Sequence, residues 1–173
     1  MGWIASSTPY LTPPPPGEPD AWTQQMAGRG TQRIVSAGHA EATPEVAEAL
    51  DIPVGAPVLH RVRLISVDGA PVELVSSHFP TERLGVDAAP LGGPRQIKGG
   101  AVRLLADLGW TAAANVEDVS AETAAEHAVP GIDAHTPVLV TRRTVLNAER
   151  VPFEYTVMVA WDRRRQRYTL RAE

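Results

Sequence analysis

The sequence predicts an α+β layered domain, an antiparallel sheet with helices packed on it. Three observations predict it. Two pairs of β-branched, apolar runs are each folded back by a turn and bounded by proline. Short stretches with cap residues and helical spacing lie between them. The two halves of the chain repeat the same order of strand, short helix and hairpin.

The elements follow in order. Residues 1–30 carry Pro9, Pro13, Pro14, Pro15, Pro16 and Pro19 with polar spacers. Proline fixes φ and removes a backbone donor, so the stretch reads as extended. It is a linker or tail, or an arm that docks through Trp3, Ile4, Tyr10, Leu11 and Trp22. The folded domain is expected over 31–173. Gln32 to Ala40 reads as a strand. Thr43 caps a short helix, Pro44–Leu50, with Pro44 at its first position and Glu45 in its first turn. Pro57–Val67 and Pro71–Phe79 form a hairpin about the strong turn signal Asp68-Gly69. Residues 81–99, rich in glycine and proline, read as a loop. Gly100–Leu108 has Val102, Leu104, Leu105 and Leu108 at helical spacing, with Gly109 as its stop. A strand over Asn115–Ser120, a helix over Glu122–Ala128, a hairpin of Pro137–Leu146 and Pro152–Trp161, and a last strand Arg167–Arg171 complete the reading.

The repeat aligns Thr43 to Leu50 with Ser120 to His127, Ala56-Pro57-Val58 with Thr136-Pro137-Val138, and Pro71-Val72-Glu73 with Pro152-Phe153-Glu154. Arg61 and Arg63 of the first copy answer to Arg142 and Arg143 of the second. One unit alone exposes an apolar sheet face, and two units share one sheet.

Composition bounds the function. A chain of 173 residues with 43% hydrophobic and 21% charged residues supports one globular domain. A net charge of −4 argues against this chain alone gripping a nucleic-acid backbone. With no cysteine there is no disulfide framework and no thiolate metal site. No apolar run reaches the roughly 20 residues of a membrane span. Met1 to Tyr10 does not read as a secretory signal, so a cytoplasmic location is expected. His39, His60, His78, His127 and His135 lack metal-ligand spacing, and no serine sits in a nucleophile elbow. Neither a cofactor nor an enzyme activity is expected. Arg163-Arg164-Arg165 reads as a solvated turn.

The run from Gly55-Ala56-Pro57-Val58 through Arg61-Val62-Arg63 to Asp68-Gly69-Ala70-Pro71-Val72-Glu73 resembles the central signature of UTRA domains. These are the effector-binding halves of transcription regulators of the GntR/HutC type. Ser76-Ser77-His78-Phe79-Pro80, and the late run Pro137 to Arg143 through Pro152-Phe153-Glu154-Tyr155, are similar to two further segments of that family. Pro94 to Ala101 resembles its actinomycete-type members. The resemblance covers about residues 31–171. It implies a chorismate lyase-like fold and binding of a small, anionic metabolite. The family's usual winged helix-turn-helix has no counterpart in the proline-rich 1–30. Met1 favours a standalone member over a fragment.

Candidate ligand-binding residues are Arg61, Arg63, Glu73, Ser77, Gly99, Gly100 and Glu154. Arg61 and Arg63, two apart on one strand, leave the same sheet face and offer two planar forks to a phosphate or carboxylate. Read without the resemblance, they are surface arginines paired with acids. A plain two-residue loop would bring Leu64 opposite Glu73 and put Glu73 on the other face, a bulged loop brings Ile65 opposite Glu73 on the arginines' face, and the resemblance implies the bulged register. The resemblance implies that Glu73 lines the pocket, orients Arg63 and accepts ligand hydroxyls, and that Glu154 contacts ligand. Ser77 supplies a hydroxyl. Gly99 and Gly100 keep the backbone open at a helix start, where anions bind. A ligand sensor ranks ahead of a structural dimerisation module and of a chorismate lyase-like enzyme. A homodimer is expected, because Pro137–Leu146 and Pro152–Trp161 are apolar on both faces and call for a second cover, for which the proline-rich arm, with Tyr10 and Trp22, competes in cis.

Overall fold

The computed structural model describes residues 3–127, 129, 131–162 and 164–169. In chain order they form β1 (Trp3–Ala5), a 3-10 turn at Thr8–Tyr10, α1 (Ala21–Met26), β2 (Gly30–Glu41), α2 (Pro44–Leu50), β3 (Pro57–Val67) and β4 (Ala70–Pro80). Then come α3 (Thr81–Leu84), a 3-10 stretch at Val86–Gly92, α4 (Gly100–Asp107), β5 (Ala114–Thr123), a 3-10 turn at Ala124–His127, β6 (Pro137–Leu146), β7 (Pro152–Ala160) and β8 (Arg164–Gln166).

Six strands make one antiparallel sheet in the order β2-β3-β4-β7-β6-β5. The order is its own mirror about the β4/β7 seam, as the sequence repeat requires. The turn residues Asp68 and Gly69 both take positive φ, at 51° and 80°. A register shift after Ile65 brings Ile65 opposite Glu73, as the bulged reading expects. Thr43 accepts a hydrogen bond from Val46 N and caps α2.

Both sheet faces are covered within the chain. On one face α2 lays Val46, Ala47 and Leu50 against Val58 and Tyr155. Ala124 and Val129 lie against Val138, Val140 and Val159 of the same face. On the other face Leu84, Ala88, Leu91 and Leu105 pack on Leu59, Phe79 and Val145. The proline-rich arm docks beside them, with Trp3, Trp22 and Met26 against Ile65, Val75 and Met158.

Four expectations are corrected. Glu122–Ala128 is not a helix: β5 runs on to Thr123 and pairs with Pro137, and only a 3-10 turn follows. Ala128 lies outside the described residues. The strand expected at Arg167–Arg171 falls instead on Arg164–Gln166, with Leu170 and Arg171 outside the described residues. β8 pairs in parallel with β1, so the arm is a part of the fold. Arg164 is not solvated. Its side chain is 3% exposed, paired with the Glu73 carboxylate and stacked 5.5 Å from the centre of the Trp3 ring. Arg163 lies outside the described residues. Finally, β6 and β7 need no second copy as a cover: both of their faces are packed in cis, and both of their edges are paired inside the sheet.

Candidate effector cavity

The cavity begins as a row of polar residues across four strands. Register places Arg61 of β3 opposite Ser77 of β4, Ser77 opposite Thr156 of β7, and Thr156 opposite Arg143 of β6. All four are buried. Arg63 and Glu154 extend the row on the same face, while Leu59, Phe79, Val75 and Met158 beside it are apolar. Burying polar side chains is costly unless they are hydrogen-bonded, so a polar row in an apolar sheet face marks function.

The row is wired in one direction. Thr156 Oγ1 donates to Glu154 Oε1 at 2.8 Å. A hydroxyl has one proton, so the 2.9 Å bond between Ser77 Oγ and Thr156 Oγ1 has Ser77 donating. Ser77 therefore accepts from Arg63 Nη2, at 3.4 Å. Glu154 Oε1 in turn lies 3.6 Å from Arg143 Nη2. The chain fixes the two arginines at its ends and leaves part of each fork uncommitted. The Nε–H groups of Arg63 and Arg143 are buried without an acceptor among the described residues.

Arg61 is used differently from its neighbour. Its Nη1 donates to Gly93 O at 2.6 Å and its Nη2 to Arg95 O at 2.6 Å, with a long contact from Nη1 to Leu91 O at 3.5 Å. It borders the cavity, and its fork holds the 91–95 loop. Burial, and next the charge of Arg63, lower its pKa from the ordinary value.

Above this floor the arm, α4 and the loop before it line a cleft that is partly open to solvent. Pro9, Tyr10, Pro14 and Trp22 come from the arm, and Ile97, Gly99, Gly100 and Val102 from the helix side. Gly99 and Gly100 hold positive φ of 77° and 80°, a conformation other residues rarely adopt. The N–H groups of Ala101 and Val102, in the first turn of α4, have no intrahelical acceptor and belong to the same wall. Tyr10 stacks 5.0 Å from the Arg143 guanidinium. Burial, opposed by Arg143, raises its phenol above the ordinary value.

Of the residues read from sequence, Arg61, Arg63, Ser77, Gly99, Gly100 and Glu154 border this cleft. Glu73 does not. It is on the expected face, but its carboxylate holds Arg164 rather than Arg63 and borders an adjoining cavity under the arm. Burial pushes its pKa up against the pull of Arg164, Arg63 and Arg143. Sequence reasoning missed Arg143, Thr156, Tyr10 and Trp22. The signal for Arg143 was present: Arg63 and Arg143 each stand six residues after the proline that opens their strand. That offset selects Arg143 over Arg142, which leaves the opposite face to pair with Glu122 and Glu45.

Comparison with known proteins finds the same fold. The effector domain of PhnF from Mycobacterium smegmatis superposes with a TM-score of 0.71, at 22% identity over 88% of this chain and 96% of that one. PhnF from the same organism gives a TM-score of 0.75 at 18% identity, over 99% of this chain and 73% of that one. A GntR-family transcriptional regulator from Bacillus cereus gives 0.67 at 16% identity, over 83% and 99%. At these identities the likeness is one of fold. No curated protein sequence matches the chain. The family model for the UTRA domain matches residues 26–161, which is most of the sequence, and the chain belongs to this family of ligand-binding regulatory domains.

Proposed function

We propose that the cleft is the effector site of a GntR/HutC-type transcription regulator and takes a small anionic metabolite without turning it over. The observation that carries this reading is the pair Arg63 and Arg143, whose Nε–H groups are buried at the cleft without acceptors among the described residues. A phosphate or carboxylate supplies what they lack. Ser77 and Glu154 hold the two forks in position, and the α4 backbone after Gly99 and Gly100 adds N–H donors. Arg61 shapes the loop that closes one side. Glu73 supports the arm through Arg164.

In this reading the domain works in the cytoplasm, does not itself bind DNA, and acts as a homodimer. The strands with open backbone edges are β2 and β5, and pairing along one of them replaces the surface expected from sequence. Thermal-shift screening of the chain with a library of metabolites tests the site. Acids should raise the melting temperature, and mass spectrometry of the incubations should return them unchanged. Stabilisation by neutral compounds only, or conversion of an acid, would reject the reading.

A further inference from the structure

The two sides of the cleft differ in kind. The sheet side is the polar row. The arm side presents Pro9, Pro14 and Trp22, continued by Ile97 and Val102. The arm also contributes Tyr10 and Thr12 to the lining, while several polar side chains beside it are engaged with one another. Asp20 Oδ1 caps Thr23 N at 2.8 Å, and its Oδ2 accepts from Gln32 Nε2 at 3.0 Å. Gln96 Nε2 donates to Gln32 O at 3.0 Å.

Trp22 is the exception. It is 7% exposed and borders both the cleft and the adjoining cavity. Its Nε1–H is buried with no acceptor among the described residues. The ring is wedged edge-on against Trp3, with centroids 5.6 Å apart, and packs with Met26. A buried indole N–H normally finds a partner, and one held by packing cannot turn to seek it.

We propose that Trp22 is a ligand-contacting, specificity-determining residue of the cleft. Its N–H donates to an acceptor on the effector, and the arm selects an organic acid with an apolar body over a polyhydroxylated one. The proposal rests on the effector reading above. An apolar body gains by burial against Pro9, Pro14, Trp22, Ile97 and Val102.

Two phosphate monoesters with opposite bodies test it: phenyl phosphate and glycerol 3-phosphate, titrated into the full chain by calorimetry. Phenyl phosphate should bind at least about tenfold more tightly, since the two share a head group and differ in apolar area. Trp22→Phe keeps an apolar ring and loses the donor. It should weaken phenyl phosphate about fivefold or more and reduce the ligand-dependent change in tryptophan fluorescence, with the melting temperature lowered by only a few degrees, as expected for trimming a buried ring. Unaltered affinity in Trp22→Phe, with binding lost in Arg63→Ala, overturns the proposal and leaves the effector site standing. A preference for glycerol 3-phosphate overturns the selection of an apolar body. Wild-type affinity in Arg63→Ala, or binding of neither ester, overturns the effector reading and the proposal with it.

Discussion

Replacing Arg61 should cost stability, and replacing Arg63 should cost binding. Arg61→Met keeps most of the aliphatic stem and removes a fork that holds Gly93 O and Arg95 O, each at 2.6 Å. Hydrogen bonds to a charged donor contribute about 1.5–3 kcal/mol each. The 3.5 Å contact to Leu91 O adds little. Gly93 is half-buried and Arg95 is exposed, so water can reach the released carbonyls and the low end applies. The expected loss is about 2–3 kcal/mol, or a fall in melting temperature of roughly 4–10 °C for a domain of this size. Among the described residues Arg63 makes two side-chain hydrogen bonds, both at 3.4 Å, so Arg63→Met should lose less than about 1 kcal/mol. Urea unfolding followed by circular dichroism measures both variants. A midpoint for Arg61→Met within error of wild type, or a larger loss in Arg63→Met, would refute the division of labour between the two arginines.

Four further outcomes follow. Arg142 first, with Ser120 and His127, holds the Glu122 carboxyl down at about 2, so its contribution to stability is full above its ordinary 4.5 and is lost as pH falls toward 2. The urea midpoint should fall through that window, and Glu122→Gln should flatten the slope. Burial, then His60, lowers His78 from 6.5 to about 4, so the neutral ring's contribution is lost as pH falls from 6.5 through 4, and His78→Gln should remove that part of the acid limb. Gly100→Ala forces a side chain onto φ +80° and sets its Cβ 3.1 Å from Asp20 Cβ; it should destabilise by about 1–2 kcal/mol in thermal melts and weaken anion binding through the shifted α4 start. Light scattering at micromolar concentration should give twice the 18.5 kDa chain mass, and a clean monomer would count against pairing at β2 or β5.

The parts of the fold legible in the sequence are those with local causes. Thr43 and Pro44 start α2, and Asp68-Gly69 turns the first hairpin, because cap and turn chemistry act over a few residues. Spacing alone left the plain and the bulged register of the first hairpin open, and the family resemblance selected the bulged one by implying that Glu73 shares the face of Arg61 and Arg63. The arm was only half legible. Its prolines suggest extended chain, yet Asp20 caps a helix that puts Trp22 and Met26, four apart, on one buried face. Whether those side chains dock depends on a sheet face assembled from distant segments. Thr123 shows the opposite case, in which pairing with Pro137 overrides a weak helical preference. Arg164 reads as solvated in a run of arginines because nothing local reveals Glu73, ninety-one residues away. In the site, repeat arithmetic pointed to Arg143, while the arm's contribution required the tertiary structure.

The central claim is that an anion binds between Arg63 and Arg143. Calorimetric titration of wild type, Arg63→Ala and Arg143→Ala with the acid that raises the melting temperature most tests it directly. Each substitution should weaken binding at least about tenfold, or about 1.4 kcal/mol, with a single site per chain in wild type. Unchanged affinity in both variants would contradict the account.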